Sequence, residues 1–122
     1  GAEQVTLWGT GTPRREFIYA DDVADACIAL LEGDTAELPL PLNIGMGFDI
    51  SIRELAEAIA GITGYAGRIE WNTAMPDGAA RKLLDSSRMR AFGWTPKTTL
   101  EIGLRETYRW YLQQTARLEY SA

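Results

Sequence analysis

Apolar and polar residues alternate from Gln4 to Trp8, with Val5 and Leu7 on one side, and the alternation stops at Gly9-Thr10-Gly11-Thr12-Pro13. That is the pattern of a short strand running into a glycine- and proline-bearing loop. Glu16-Phe17-Ile18-Tyr19 reads as a second strand. The period then lengthens. Val23, Ala26, Cys27, Leu30 and Leu31 recur at helical spacing between a cap at Asp21 or Asp22 and a stop at Gly33. Cys27 falls on that apolar stripe, which predicts a small core residue rather than a nucleophile.

Two prolines make Glu37 to Pro41 an irregular connector, followed by a short strand over Leu42-Asn43-Ile44-Gly45. Ser51-Ile52-Arg53-Glu54 is a capping box, with Ile50 placed to staple onto Leu55. The helix it opens carries Leu55, Ala56, Ile59, Ala60 and Ile62 and ends near Gly64. Arg68 to Trp71 reads as a strand and residues 72–82 as loop. A short helix begins at Asp85 or Ser86 and is closed by Gly93. Thr98-Thr99-Leu100-Glu101 forms a second capping box before a long helix with Leu100, Leu104, Thr107, Tyr108, Tyr111 and Leu112 on one side. The pattern predicts a single mixed α/β domain over 1–122, helix-dominated, with about four helices and short strands, and without repeats or linkers.

Composition narrows the class. Hydrophobic residues are 46% and charged residues 24%, the balance of a folded chain. At 13.5 kDa, folding is expected to bury roughly two-thirds of the extended chain's surface, enough for one hydrophobic core. No apolar run approaches the ~18–20 residues of a membrane span, and the opening residues lack a leader pattern. Twelve basic against 17 acidic residues give a net charge of −5, which argues against nucleic acid as partner. One Cys and no His exclude an internal disulfide, a Cys/His zinc site and any His-based catalytic triad. A reducing cytoplasm is the expected compartment.

Two glycine pairs, Gly9-Thr10-Gly11 and Gly45-Met46-Gly47, stop short of the third glycine that a dinucleotide turn requires. None of the five tyrosines has a lysine four residues later. Asp21 and Asp22 are better explained as a helix cap than as paired catalytic carboxylates. The sequence therefore offers no catalytic residue. What it does offer is Trp8, a flexible turn, Arg14-Arg15 and a capped helix in close succession. A tryptophan face can stack on a base while an arginine fork grips a phosphate.

The string from Trp8 through Gly9-Thr10-Gly11-Thr12-Pro13-Arg14-Arg15-Glu16-Phe17-Ile18-Tyr19 to Asp22 resembles the C-terminal part of the GDP-L-fucose synthases, a family of extended short-chain dehydrogenase/reductases. The resemblance continues through Asn43-Ile44-Gly45-Met46-Gly47, Ile50 to Ala56, Pro76-Asp77-Gly78, Arg81-Lys82-Leu83-Leu84-Asp85 and Gly93-Trp94-Thr95-Pro96. It covers essentially the whole chain in the family's order.

The resemblance implies an enzyme that converts GDP-4-keto-6-deoxy-D-mannose to GDP-L-fucose by 3,5-epimerisation and NADPH-dependent 4-reduction. It places the NADPH-binding Rossmann core and the catalytic residues upstream, so that this region alone is expected to be inactive and the parent enzyme to be a homodimer. By motif position, Trp8, Arg15 and Asp77 correspond to nucleotide-sugar contacts: Trp8 toward base or sugar, Arg15 on the pyrophosphate, Asp77 on ribose hydroxyls. Arg81 is a further candidate for the diphosphate. Each has a plainer structural alternative, Asp77 as a Pro-Asp-Gly turn former above all. Met75, Asn72 and Ala79-Ala80 depart from the family's usual Lys, Asp and Thr-Pro, which bears on affinity and sugar specificity more than on fold. Two other readings stay open: the C-terminal part of a different nucleotide-sugar epimerase or dehydratase, and a freestanding nucleotide-sugar-binding or assembly module.

Overall fold

The computed structural model describes residues 2–36 and 38–119, with side chains as far as Thr115. Its elements run β1 (Gln4–Trp8), β2 (Arg14–Arg15), α1 (Ala20–Glu32), β3 (Ile50–Ser51), α2 (Ile52–Thr63), β4 (Arg68–Asn72), β5 (Arg81–Lys82), α3 (Ser87–Ala91) and α4 (Leu100–Glu119). The mixed, helix-dominated fold expected from the periodicity is what the chain adopts. β1 and β4 pair in parallel from Gln4↔Arg68 to Trp8↔Asn72. A second small sheet has the order β3-β2-β5, with β2 antiparallel to β3 and parallel to β5.

The best-predicted elements are those with local signals. Ser51 and Glu54 form the full capping box of α2, and Gly64 closes that helix in the left-handed conformation at φ 68°. Gly33 ends α1, its N–H donating to Ala29 O at 2.9 Å.

Several expectations fail, each for a tertiary reason. Glu16–Tyr19 is not a strand; the ladder is one step earlier, at Arg14–Arg15. The Glu16 carboxylate instead accepts from the N–H groups of Gly47 at 2.7 Å and Leu84 at 3.1 Å. Phe17, Ile18 and Tyr19 all line an apolar groove with Leu55, Ile59, Leu100 and Leu104, and Ile18 also packs on the core. The run thus serves two packings rather than a sheet. Leu42–Gly45 is also irregular: Asn43 Nδ2 donates to Asp85 O at 3.0 Å, and Ile44 packs on the core. Glu37 of the preceding connector lies outside the described residues.

Neither Asp21 nor Asp22 caps α1; Tyr19 holds the cap position without a side-chain bond. Asp22 is buried and accepts from the Thr98 N–H at 2.9 Å and the Thr98 hydroxyl at 3.1 Å. One turn on, Asp25 accepts from Trp94 Nε1 at 3.1 Å and Lys97 Nζ at 2.9 Å. The Lys97 and Trp94 bonds hold the Asp25 carboxyl below its ordinary pKa. With Thr98 engaged by Asp22, α4 starts a residue later than the expected box, Thr99 Oγ1 accepting from Ile102 N at 3.3 Å.

The core is smaller than the chain length suggests. Ala26, Met89 and Trp94 are its buried apolar members, with Ile18, Ala29, Leu30, Ile44 and Phe92 packed around them. A folded monomer of this mass exposes about 6,500 Å², whereas this chain exposes 8643 Å². Folding therefore covers only a little over half of an extended surface of about 19,600 Å², short of the expected two-thirds. Cys27 shows the consequence. It is exposed, correcting its assignment to the core, and shares an uncovered apolar groove with Leu30, Leu31, Leu38, Leu40 and Leu42.

Candidate functional site

The chain leaves β1 through a loop that two glycines make possible. Gly9 and Gly11 have φ of 79° and 76°, a region that side-chain-bearing residues rarely adopt. A Cβ on Gly9 would lie 2.1 Å from Asp77 Oδ1, and one on Gly11 would lie 2.6 Å from the Trp71 ring. Asp77 can come this close because it binds the loop itself: Thr10 donates its N–H at 2.8 Å and its hydroxyl at 2.7 Å to the two carboxylate oxygens. Those bonds, the hydroxyl's first, depress the Asp77 pKa.

The other side of the loop rests on α2. Ile52 N–H donates to Pro13 O at 3.0 Å, and Arg53 N–H to Gly11 O at 2.9 Å. Arg53 Nη2 donates to Thr10 O at 2.7 Å, and its guanidinium lies 4.6 Å from the centroid of Trp71. The first donors of α2, which an anion would otherwise meet, are thereby occupied.

Beyond this loop Trp8, Arg15 and Asp77 line one pocket, together with Pro13, Pro76 and Gly78. Trp8 is 71% exposed, an aromatic face open to solvent rather than a core lid. Arg15 donates from Nη1 to Arg14 O at 2.7 Å and has no acidic partner among the described residues. Arg81 is not in this pocket. It pairs with Asp49, as does Arg14, whose Nε donates to Asp49 Oδ1 at 2.7 Å and whose Nη2 donates to Asp49 O at 2.7 Å.

The β2–β5 register explains the division. Arg14 lies opposite Arg81 and Arg15 opposite Lys82, and side chains alternate faces along a strand. Arg14 and Arg81 meet Asp49 on one face, while Arg15 and Lys82 both border a neighbouring hollow with Glu16.

Three residues here escaped the sequence reading: Thr10, Glu16 and Asp49. Asp49 has a 4% exposed side chain, and its pKa is depressed by Arg81 first and Arg14 second. Consecutive arginines in a strand face opposite ways, but the sequence reading began the strand at Glu16, so this alternation gave no usable signal.

The departures in the 72–80 loop leave its attachments in place. Asn72 Oδ1 accepts from Ala74 N at 3.2 Å, and Ala80 O accepts from Arg14 N at 2.8 Å. The pocket combines an open aromatic face, a guanidinium without an acid partner and a carboxylate at its rim, which suits an anionic ligand carrying a ring. It does not suit a dinucleotide cofactor. Gly9-Thr10-Gly11 leads into a strand, and the N–H groups that open α2 are already bonded.

These features have counterparts in known proteins. Residues 1–45 match the NAD dependent epimerase/dehydratase family. The chain is 50% identical over 113 residues to GDP-L-fucose synthase 1 of Arabidopsis thaliana, covering 93% of this chain and 34% of that protein. It is 42% identical to GDP-L-fucose synthase of Escherichia coli (strain K12), covering 95% of this chain and 38% of that one. Among solved structures it superposes on a GDP-6-OMe-4-keto-L-xylo-heptose reductase from C. jejuni with a TM-score of 0.85 at 37% identity, over 92% of this chain and 34% of that one. The chain spans about a third of the length of these relatives. It is a homologue of the GDP-L-fucose synthases over a C-terminal part of their length.

Proposed function

We propose that this chain is the nucleotide-sugar-binding part, residues 1–122, of an NADPH-dependent GDP-L-fucose synthase that epimerises GDP-4-keto-6-deoxy-D-mannose at C3 and C5 and reduces its 4-keto group. The carrying observation is the convergence of Trp8, Arg15 and Asp77 on one pocket, with the Arg15 charge unmatched by any acid among the described residues. In this reading Trp8 stacks on the base or sugar, Arg15 grips the diphosphate and Asp77 accepts from ribose hydroxyls while bracing Thr10. Arg81, held by Asp49 on the face away from the pocket, is not given a ligand contact in this reading.

An upstream Rossmann domain holds NADPH and supplies the catalytic groups, and the enzyme acts as a cytoplasmic homodimer. The two-stranded parallel β1–β4 sheet supports that partition, because parallel sheets are stable when neighbours cover both faces. GDP is carried more firmly than fucose. Relatives with 37–50% identity differ in their named sugar, fucose, colitose or a heptose, but share the guanosine diphosphate in their names.

Calorimetric titration of the intact protein with GDP tests the reading. Micromolar binding is expected, weakened about ten- to a hundredfold by Arg15→Ala and partly recovered by Arg15→Lys, as for a lost bidentate charge-assisted contact. Equal affinity in wild type and Arg15→Ala would sink it.

A further inference from the structure

The four cations of β2 and β5 are not equivalent, and what separates them is one carboxylate. Asp49 comes from the segment before β3, where it is all but inaccessible, with a side-chain exposure of 4%. Oδ1 accepts from Arg14 Nε, Oδ2 from Arg81 Nε, and its backbone oxygen from Arg14 Nη2. Both arginines are partly open to solvent, at 44% and 62% side-chain exposure, so the pairing is not forced by burial of the cations. The acid is what holds them. In doing so it joins all three strands of the small sheet: it sits one residue before β3 and binds a residue of β2 and a residue of β5.

We infer that Asp49 is a positioning residue of the anion-binding face: by drawing Arg14 and Arg81 to one side of β2 and β5, it fixes the register that turns Arg15 toward the pocket with Lys82 beside it. A slip by one residue would exchange the faces and put Arg14 where Arg15 stands. Two-residue strands have too few ladder bonds to specify register alone, and no apolar side chain of β2 or β5 contributes, since both strands consist only of Arg and Lys. The Glu16 bonds to Gly47 and Leu84 tie the same strands together through backbone N–H groups; the Asp49 lock is the one that engages the side chains of β2 and β5 and so sorts their faces. Asp49 bonds neither to Arg15 nor to Lys82; it acts through Arg14 and Arg81.

This inference rests on the binding role proposed for Arg15, and a double-mutant cycle separates the two. GDP affinity is measured by calorimetry on the intact protein for wild type, Asp49→Asn, Arg15→Ala and the double variant, at 10 °C and below every variant's melting range. Asp49→Asn is expected to weaken GDP about tenfold. In that background Arg15→Ala should cost threefold or less, against ten- to a hundredfold in wild type, because the guanidinium is no longer aimed. Asp49→Glu, which keeps the charge, should recover part of the affinity. Arginine side-chain Nε–H resonances supply a ligand-free readout: those of Arg14 and Arg81 should be exchange-protected in wild type and lose protection in Asp49→Asn, while Arg15 is unprotected in both. Additive losses, or unchanged GDP affinity in an Asp49→Asn protein that merely melts earlier, would overturn the positioning role and leave Arg15 as a ligand. Wild-type protein that binds no GDP would overturn both.

Discussion

Two halves of this molecule are held together by different physics. On the pocket side, short strands and loops are fastened by carboxylates: Asp77 on Thr10, Asp49 on Arg14 and Arg81, Glu16 on Gly47 and Leu84. On the other side, α1 and α3 enclose Ala26, Met89 and Trp94, and α2 meets α4 across an apolar groove. The first half gains geometry from directional bonds with little apolar burial. The second half gains cohesion from burial but leaves much of its apolar surface uncovered, with Leu31 86% and Leu40 80% exposed. A binding surface can be exact while the body beneath it is incompletely packed, provided the polar fasteners are themselves saturated.

The sharpest way to break the contrast is to remove the small core. Met89 has no exposed surface and sits at the centre of the cluster. Met89→Ala should cost about 2–5 kcal/mol. With so few buried neighbours to compensate, it should lower the melting temperature more than any single change on the pocket side. Thermal unfolding of the two proteins checks this. A smaller effect than Gly9→Ala would mean that the carboxylate-fastened half, not the apolar cluster, limits stability.

Gly9→Ala is the corresponding change on the pocket side. The left-handed conformation at φ 79° costs an alanine roughly 1–2 kcal/mol, and the new methyl would also collide with Asp77 Oδ1. Asp77 must then withdraw from Thr10. We expect a moderate loss of stability together with weaker GDP binding, whereas Met89→Ala at low temperature should leave binding nearly intact. Parallel melts and titrations distinguish one linked effect from two separate ones.

The same contrast predicts a pH signature. Asp25, Asp49 and Asp77 all have depressed pKa values in the folded protein. Such groups bind protons more readily when the chain is unfolded, so the stability they add is complete above the unfolded carboxylate pKa of about 4 and is lost as pH falls through the folded values. The melting temperature should be nearly flat from about pH 7 to 5 and fall below about 4. Asp49→Asn should flatten that acid limb. An acid limb of unchanged slope in Asp49→Asn would assign the effect to the other carboxylates.

How far the sequence could be read follows the same divide. The α2 capping box, the Gly33 and Gly64 stops, and the β1 and β4 runs were all legible, because each is specified by residues within a few positions of one another. The resemblance to the GDP-L-fucose synthases was likewise legible in the Trp8–Asp22 and Pro76–Asp85 strings. What stayed hidden depended on partners far along the chain. Glu16 finds Leu84, Asp22 finds Thr98, and Asp49 finds Arg14 and Arg81 across 32–76 positions. Asp22 looked like a cap and Glu16 like the start of a strand because their local contexts permit both. Cys27 was placed in the core because helical periodicity finds an apolar face but cannot tell whether anything covers it.

The smallest expected effect is also the most local, and it concerns the base. Trp8 is the open aromatic at the pocket, while Trp71 is engaged by Gly11 and Arg53, Trp94 is buried and bonded to Asp25, and Trp110 lies on α4. A purine stacked on Trp8 should quench that fluorophore and leave the others nearly unchanged. GDP should therefore quench part of the total tryptophan emission, and Trp8→Leu should remove most of that ligand-dependent part. Affinity should fall by less than for Arg15→Ala, since stacking on an exposed ring contributes about 1–3 kcal/mol per base and leucine retains part of the apolar contact. Quenching of equal size in wild type and Trp8→Leu would move the base away from Trp8, and with it the orientation of the ligand across the pocket. The diphosphate contact proposed for Arg15 would survive that result, because the positioning inferred for Asp49 acts from the opposite face of the sheet.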